Sequence, residues 1–138
     1  MSRRGDDAGR VSIFLAITLL AVFLVIGLSV DGAGQLFALH RARSIAAEAA
    51  RTGGQAIDEG SAIGGGAKVL DRRRAEAAAE TYIREAGARG SAEVPAGSGG
   101  RQLTARVDLD YRPVLLSFFG WHTLRQHAEA TAQLEDVP

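Results

Sequence analysis

Residues 11–30 read VSIFLAITLLAVFLVIGLSV, and this stretch determines the architecture of the chain. It contains no ionisable residue, and fourteen of its twenty residues are Leu, Ile, Val or Phe. An α-helix rises about 1.5 Å per residue, so a helix of this length spans about 30 Å, the thickness of the hydrocarbon core of a bilayer. The stretch therefore predicts a single transmembrane helix at 11–30, with the lipid bilayer as its surroundings.

A cleaved secretory signal is the competing interpretation of the same stretch. The small residues Gly32, Ala33 and Gly34 offer a place where a signal peptidase can cut. The apolar region of a signal is typically about 7 to 15 residues long, and this one is longer. We therefore favour a permanent anchor, and cleavage near Gly34 stays open.

Arginines near the span predict its orientation. Arg3, Arg4 and Arg10 precede the span within the tail at 1–10, whereas the next arginine after it is Arg41. Basic residues next to a transmembrane helix stay preferentially on the cytoplasmic side. We expect a cytoplasmic N-terminus and a C-terminal domain on the opposite side of the membrane.

Residues 31–58 carry the pattern of a juxtamembrane amphipathic helix that continues from the span. Small or apolar residues recur three and four positions apart, which places them on one face, and polar residues occupy the opposite face. The small side chains allow a partner to approach the helix backbone closely. That partner is either the protein's own domain or another subunit. The face consists of Leu39, Ala42, Ala46, Ala49, Gly53 and Ala56.

A Gly-rich linker at 59–68 is expected to precede a domain at 69–138. Within that domain, Asp71 is placed near the start of a second helix that runs to about Ala86. Gly87 then stands where a helix commonly stops, since glycine adopts the left-handed conformation that ends many helices.

Alternating residues later in the chain predict a sheet. Apolar and polar residues alternate over 103–111 and again over 128–135, and 92–94 is a short third stretch. A period of two is typical of a strand with one buried face. We expect the strands to pair antiparallel with the other face in solvent, which gives an α+β fold overall.

The stretch from Pro113 to Trp121 is apolar, bulky and too short to span a bilayer. One interpretation is a short helix that closes the sheet and supplies large side chains to an Ala-rich core. The alternative is an exposed patch that docks on a membrane surface or a partner, where Trp121 suits an interface. We favour the buried interpretation.

Composition and motifs indicate a protein without catalytic chemistry. The chain has sixteen basic and sixteen acidic residues, so no excess of positive charge predicts nucleic-acid binding. It has no cysteine and no complete nucleotide-binding or hydrolase motif. Asp108 and Asp110 fall on the polar side of a predicted strand, and the three histidines are scattered. We predict no catalytic residue, metal, cofactor or small-molecule substrate.

The start of the chain resembles the TadE/TadG-like group of Flp (tight adherence, type IVb) pilus-assembly proteins. Residues 26–34 read IGLSVDGAG, with Asp31 just past the hydrophobic run, and an Ala-rich helix follows through 53–56, GGQA. A hydrophobic N-terminal helix, an Asp just beyond it and an alanine-rich continuation are the recurring features of that group. The resemblance covers about 9–57, a little over a third of the chain.

This resemblance implies a non-enzymatic membrane protein of the bacterial plasma membrane, with a plan similar to that of a minor pilin. Its partners would be other pilus-assembly or envelope membrane proteins. Asp31, the stripe from Leu39 to Gly53 and Trp121 are the expected interaction residues. Prepilins are similar in having a leader that ends in Gly, as at Gly9, although the fifth residue after it is Phe14 where that class has an acid.

A signal-anchored binding or sensory module of the bacterial envelope is the alternative function. In such a module the sheet or the apolar stretch at 113–121 would capture a ligand or an envelope protein. The neighbouring genes discriminate between the two functions, because a secretion ATPase and two polytopic membrane proteins beside this gene would favour pilus assembly, whereas an isolated gene would favour the binding module.

Overall fold

The computed structural model describes residues 4–57 and 69–134, and it confirms the α+β architecture. The described residues contain two helices followed by three strands, with short 3-10 turns at Ala96–Ser98 and Leu116–Phe119. The expected Gly-rich linker lies outside the described residues. The elements are α1 (Arg4–Gly54), α2 (Arg72–Glu85), β1 (Arg89–Glu93), β2 (Gln102–Tyr111) and β3 (Leu124–Gln133).

Helix α1 is a single uninterrupted element of 51 residues. The predicted span and the predicted amphipathic helix are therefore two parts of one helix, without a break at Gly32 or Gly34. The helix ends at Gly54, four residues before the expected boundary at 58. Because the helix is continuous, the domain is attached to the apolar part through a rigid element.

The large apolar side chains of α1 between residues 11 and 30 are exposed in the described structure. Phe14 is 71 % exposed, and even Leu24 is 39 % exposed. The hydroxyl groups of Thr18 and Ser29 donate hydrogen bonds to the carbonyls four residues earlier, at 2.8 and 2.7 Å, which satisfies them without water. The described residues thus contain one helix near the N-terminus that is long and apolar enough to cross a membrane.

The three strands form one antiparallel sheet in the order β1-β2-β3, as the alternating residues predicted. β3 begins at Leu124, four residues before the predicted start, because Leu124 pairs with Tyr111 at the end of β2. β1 extends upstream of the predicted 92–94 and pairs Arg89 with Asp108. Both helices pack on one face of this sheet.

The core between helices and sheet is made mostly of small side chains. Ala42, Ala46 and Ala49 of α1 are fully buried against it. The largest fully buried apolar side chains are Ile83, Leu103 and Val107. A core of this kind brings helix backbones close to the sheet, and it leaves little volume for aromatic rings.

Helix α2 begins and ends where the sequence predicted. The side chain of Asp71 accepts a hydrogen bond from the backbone N–H of Arg74 at 3.2 Å, which satisfies a free donor of the first turn. Gly87 follows the last turn with a φ of +74°, a conformation that only glycine adopts at little cost. Ile83 provides the bulky contact of this helix with the core.

The favoured interpretation of Pro113 to Trp121 as core was wrong. Phe118 is 84 % exposed, and Phe119 and Trp121 are also exposed. The physical reason is the size of the core, since alanines of α1 and α2 already fill the space over the sheet. The structure bears out the exposure that the alternative interpretation required, while docking on a membrane or a partner stays a prediction.

A matched pair of glycine substitutions tests the close approach between α1 and the core. A Cβ atom at Gly53 would clash with the side chain of Leu103 and lie 2.6 Å from the carbonyl oxygen of Ala75, whereas one at Gly32 would meet nothing within 4 Å. We expect Gly53→Ala to destabilise the domain by about 1–3 kcal/mol through overpacking. Gly32→Ala should be neutral or stabilise it by up to about 1 kcal/mol.

Thermal unfolding of the detergent-solubilised protein, followed by circular dichroism, measures both changes. Equal unfolding temperatures for the two variants would contradict the packing at Gly53.

Candidate functional site

The most unusual group in the described structure is the carboxylate of Asp31, in the middle of α1. The residue is fully buried. Its Oδ1 accepts a hydrogen bond from the backbone N–H of Val114 at 2.6 Å, and its Oδ2 accepts one from the N–H of Leu116 at 2.8 Å. The Tyr111 hydroxyl donates to Oδ1 at a longer 3.4 Å. One helical side chain therefore holds a loop more than eighty residues away.

These hydrogen bonds keep the buried carboxylate ionised. Burial by itself raises the pKa of Asp31, but the backbone N–H groups of Leu116, Val114 and Leu115 and the Tyr111 hydroxyl together lower this pKa below its ordinary value of 3.8. Burial and the negative charge of Asp31 in turn raise the pKa of Tyr111 above its ordinary value. At neutral pH Asp31 is therefore a carboxylate that accepts hydrogen bonds from uncharged donors.

The connection between β2 and β3 runs along α1 toward its bare part. The ring of Tyr111 lies against Gly34, and a Cβ atom there would clash with it. Further along, the side chain of Leu115 covers Gly27, where a Cβ atom would lie 2.7 Å from the Leu115 Cδ2 atom. Because Gly27 belongs to the apolar stretch at 11–30, the loop reaches beside the last turns of that stretch.

The tip of this loop presents large apolar side chains to its surroundings. A 3-10 turn at Leu116–Phe119 ends at Gly120, whose φ of +91° reverses the chain toward β3. Val114, Phe118 and Phe119 are exposed around this turn, and so is Trp121 just after it. We call residues 113–121 the apolar loop.

The predicted interaction residues differ in how far the structure buries them. Ala42, Ala46 and Ala49 are fully buried in the core of their own domain, and Gly53 contacts Leu103 there. Leu39 is half-buried. The stripe thus packs on the chain's own sheet, the first of the two partners considered, while Trp121 lies on the surface.

The face of the sheet opposite the helices is a ladder of paired polar side chains. Arg106 on β2 contacts Glu93 at 2.8 Å and Glu129 at 3.1 Å. Asp108 contacts the Nδ1 atom of His127 at 3.0 Å. The register of β2 and β3 places Glu129 opposite Arg106 and His127 opposite Asp108, while Glu93 on β1 lies diagonal to Arg106. The arrangement neutralises charge locally and does not focus several charges on one point.

Asp110 completes the ladder near the end of β2. It contacts Arg89 at 2.6 Å and Arg125 at 3.8 Å. Asp108 and Asp110 are therefore structural partners of neighbouring strands, on the solvent-facing side where the sequence placed them. Across residues 4–57 and 69–134, no group of three or more potential ligands is arranged to hold a metal ion.

A groove of about 370 Å³ separates α1 from the end of β2. Phe37 and Arg41 line its helix side, and Leu109, Asp110 and Tyr111 line its sheet side. It is open to solvent, and its only charged groups are Arg41 and Asp110. The lining of the groove does not include Asp31.

Sequence reasoning identified Asp31 but missed its partners. A carboxylate on a helix is commonly matched by a basic residue three or four positions away, yet those positions hold Gly34, Gln35, Leu28 and Gly27. This absence is the signal that the partner lies elsewhere in the chain. Nothing in the local pattern of 111–116 shows that its backbone donors meet Asp31.

Comparison with known proteins does not assign the chain to a family. No family model, no curated protein and no solved structure matches it. What the fold defines is a class: a small α+β domain built on the C-terminal part of a helix whose residues 11–30 are apolar and largely exposed.

Acid titration tests the role of Asp31. Its folded pKa lies below the unfolded value of 3.8, so the unfolded chain takes up the proton first and the stabilisation is lost as pH falls below 3.8 through the folded pKa. We expect Asp31→Asn to lower the unfolding temperature at pH 7 by several degrees and to flatten the acid-dependent part of the curve.

Thermal unfolding between pH 7 and pH 2.5 measures this, with Tyr111→Phe as the control because it keeps the ring against Gly34 and loses only the weaker 3.4 Å bond. If Asp31→Asn and the unaltered protein gave superimposable curves, the loop would not depend on the carboxylate.

Proposed function

We propose that the chain is a non-enzymatic, membrane-anchored component of an Flp-type pilus or related secretion assembly in the bacterial plasma membrane. The observation that carries this proposal is the continuity of α1. Its first part is apolar and uncovered, and its second part is the central helix of a small antiparallel α+β domain. This plan is similar to that of a minor pilin, in which such a helix contacts other subunits.

The resemblance to TadE/TadG-like proteins supports the same function. The feature that the group shares with this chain, an Asp just past the hydrophobic run, falls on Asp31. In this chain that residue connects the helix to its own domain. The small-residue stripe likewise packs inside the domain. We therefore assign contacts with other subunits to the exposed part of α1 and to the exposed surfaces of the domain.

We further propose that the N-terminus is cytoplasmic and that the domain lies outside the plasma membrane, on the basis of Arg3, Arg4 and Arg10. The polar ladder of the sheet suits an aqueous compartment, because its charged groups are paired yet partly exposed.

The absence of cysteine makes the orientation directly measurable. Single substitutions Ser2→Cys and Ala96→Cys place a thiol at the N-terminus and at the exposed turn after β1. In intact cells we expect a membrane-impermeant maleimide to label Ala96→Cys alone, and to label Ser2→Cys only after permeabilisation. The reverse pattern would place the domain in the cytoplasm and contradict this topology.

Complementation tests the assembly function itself. We expect deletion of the gene in its source bacterium to abolish surface pili and the intact chain to restore them. A variant whose residues 11–30 are replaced by a generic Leu/Ala span of equal length should be anchored yet fail, since assembly depends on specific helix contacts.

Restoration by the generic span would favour the alternative, an anchored binding module whose helix serves only as a tether. Normal pili after deletion would contradict a role in assembly. The genes beside this one give a preliminary check, because a secretion ATPase and two polytopic membrane proteins there would agree with the proposal.

A further inference from the structure

The apolar loop combines exposure with a complete lack of ionisable groups. Residues 113–121 read PVLLSFFGW. Phe118 is 84 % exposed, and Val114, Phe119 and Trp121 are each exposed by 60 % or more. Large apolar side chains clustered at one loop tip are unusual for a surface in contact with water.

The position of the apolar loop along α1 indicates the depth of the loop relative to the membrane. Leu115 covers Gly27, and Asp31 binds the loop backbone four residues further along the helix. At about 1.5 Å of rise per residue, Gly27 lies about 6 Å nearer the membrane centre than Asp31. The loop therefore occupies the level of the last helical turn of the apolar stretch, continuous with the lipid-facing surface of α1.

Five of the eight backbone N–H groups of the apolar loop are hydrogen-bonded within the chain. The N–H groups of Val114 and Leu116 bind Asp31, while those of Phe118, Gly120 and Trp121 bind carbonyl oxygens within the loop. An unsatisfied backbone donor is costly in lipid, and these five donors are satisfied by the chain itself.

The remaining polar groups of the loop agree with this setting. The Ser117 hydroxyl donates to the carbonyl of Val114 at 2.6 Å, so it is also satisfied internally. The exposed residues Arg112 and His122 flank the apolar loop on either side. A basic residue and a tryptophan at the boundary of an apolar segment are typical of the headgroup level of a membrane.

We propose that residues 113–121 form a second membrane contact, in which Val114, Phe118, Phe119 and Trp121 insert into the leaflet on the domain's side, beside the end of α1. This inference rests on the anchoring of α1 in a bilayer and not on pilus assembly. Asp31 is a positioning residue, since it holds the loop at the correct level without itself contacting lipid.

Two attachment points change what the anchor does for the domain. A single helix allows the domain to rotate about the helix axis and to tilt with it. The inserted loop restrains this rotation and tilt, because β2 leads directly into the loop and β3 leads directly out of it. The polar ladder is then held in one orientation relative to the membrane, and the face of α1 at Gly27 is closed to other helices.

Trp121 is the only tryptophan of the chain and reports on this contact directly. The full chain is reconstituted at one copy per phosphatidylcholine nanodisc. We expect blue-shifted emission that is quenched by lipids brominated near the carbonyl end of the acyl chains and poorly by iodide in solution. Water-like emission, quenched by iodide and insensitive to bromolipid, would overturn the proposal.

Substitutions separate insertion from other causes of a blue shift. Phe118→Ser with Phe119→Ser should abolish bromolipid quenching, whereas Phe37→Ser, an exposed phenylalanine of α1 outside the loop, should leave it unchanged. Asp31→Asn should weaken quenching, because the loop loses its attachment. Quenching that persists in the double variant would contradict insertion by these side chains.

Varying the number of copies per nanodisc distinguishes lipid from a second chain as the group that covers the loop. A blue shift that develops only with several copies per disc, without bromolipid quenching, would mean that a second chain covers the loop, and the proposal would be wrong. Flotation with vesicles after alkaline carbonate reports anchoring by α1 separately. Because neither readout depends on pili, failure here and failure of the assembly function are distinguishable.

Discussion

The carboxylate of Asp31 connects the two ends of this fold. It lies in the middle of α1, at the end of the apolar stretch, and it accepts hydrogen bonds from backbone donors of a loop at the far end of the sheet. A buried charge without partners would be costly, so the position of the loop and the ionisation of Asp31 depend on each other. The path of the chain between β2 and β3 and the level of the apolar loop follow from this attachment.

Small residues make the attachment possible along the rest of the helix. Tyr111 packs on Gly34, Leu115 on Gly27 and Leu103 on Gly53, each at a site where a side chain would clash. Between these glycines, alanines of α1 bring its backbone close to the sheet. One helix can therefore be a membrane-spanning candidate over its first half and a core element over its second half.

Charge is distributed in agreement with this division. The described residues of the apolar stretch and of the apolar loop include no ionisable group, whereas the outer face of the sheet carries cross-strand pairs such as Arg106 with Glu93 and Glu129. The two surfaces suit different surroundings, lipid and water.

The sequence alone determined the apolar helix, the start and end of α2 and the alternating strands, because each depends on residues close together in the chain. The capping groups Asp71 and Gly87 and the alternation at 103–111 are signals of this kind. Only the tertiary structure decided that Asp31 binds residues 114 and 116 and that Phe118 and Trp121 stay outside. Both outcomes depend on how much volume the alanine-rich core leaves and on which donors reach a distant carboxylate, and neither quantity is encoded in a local pattern.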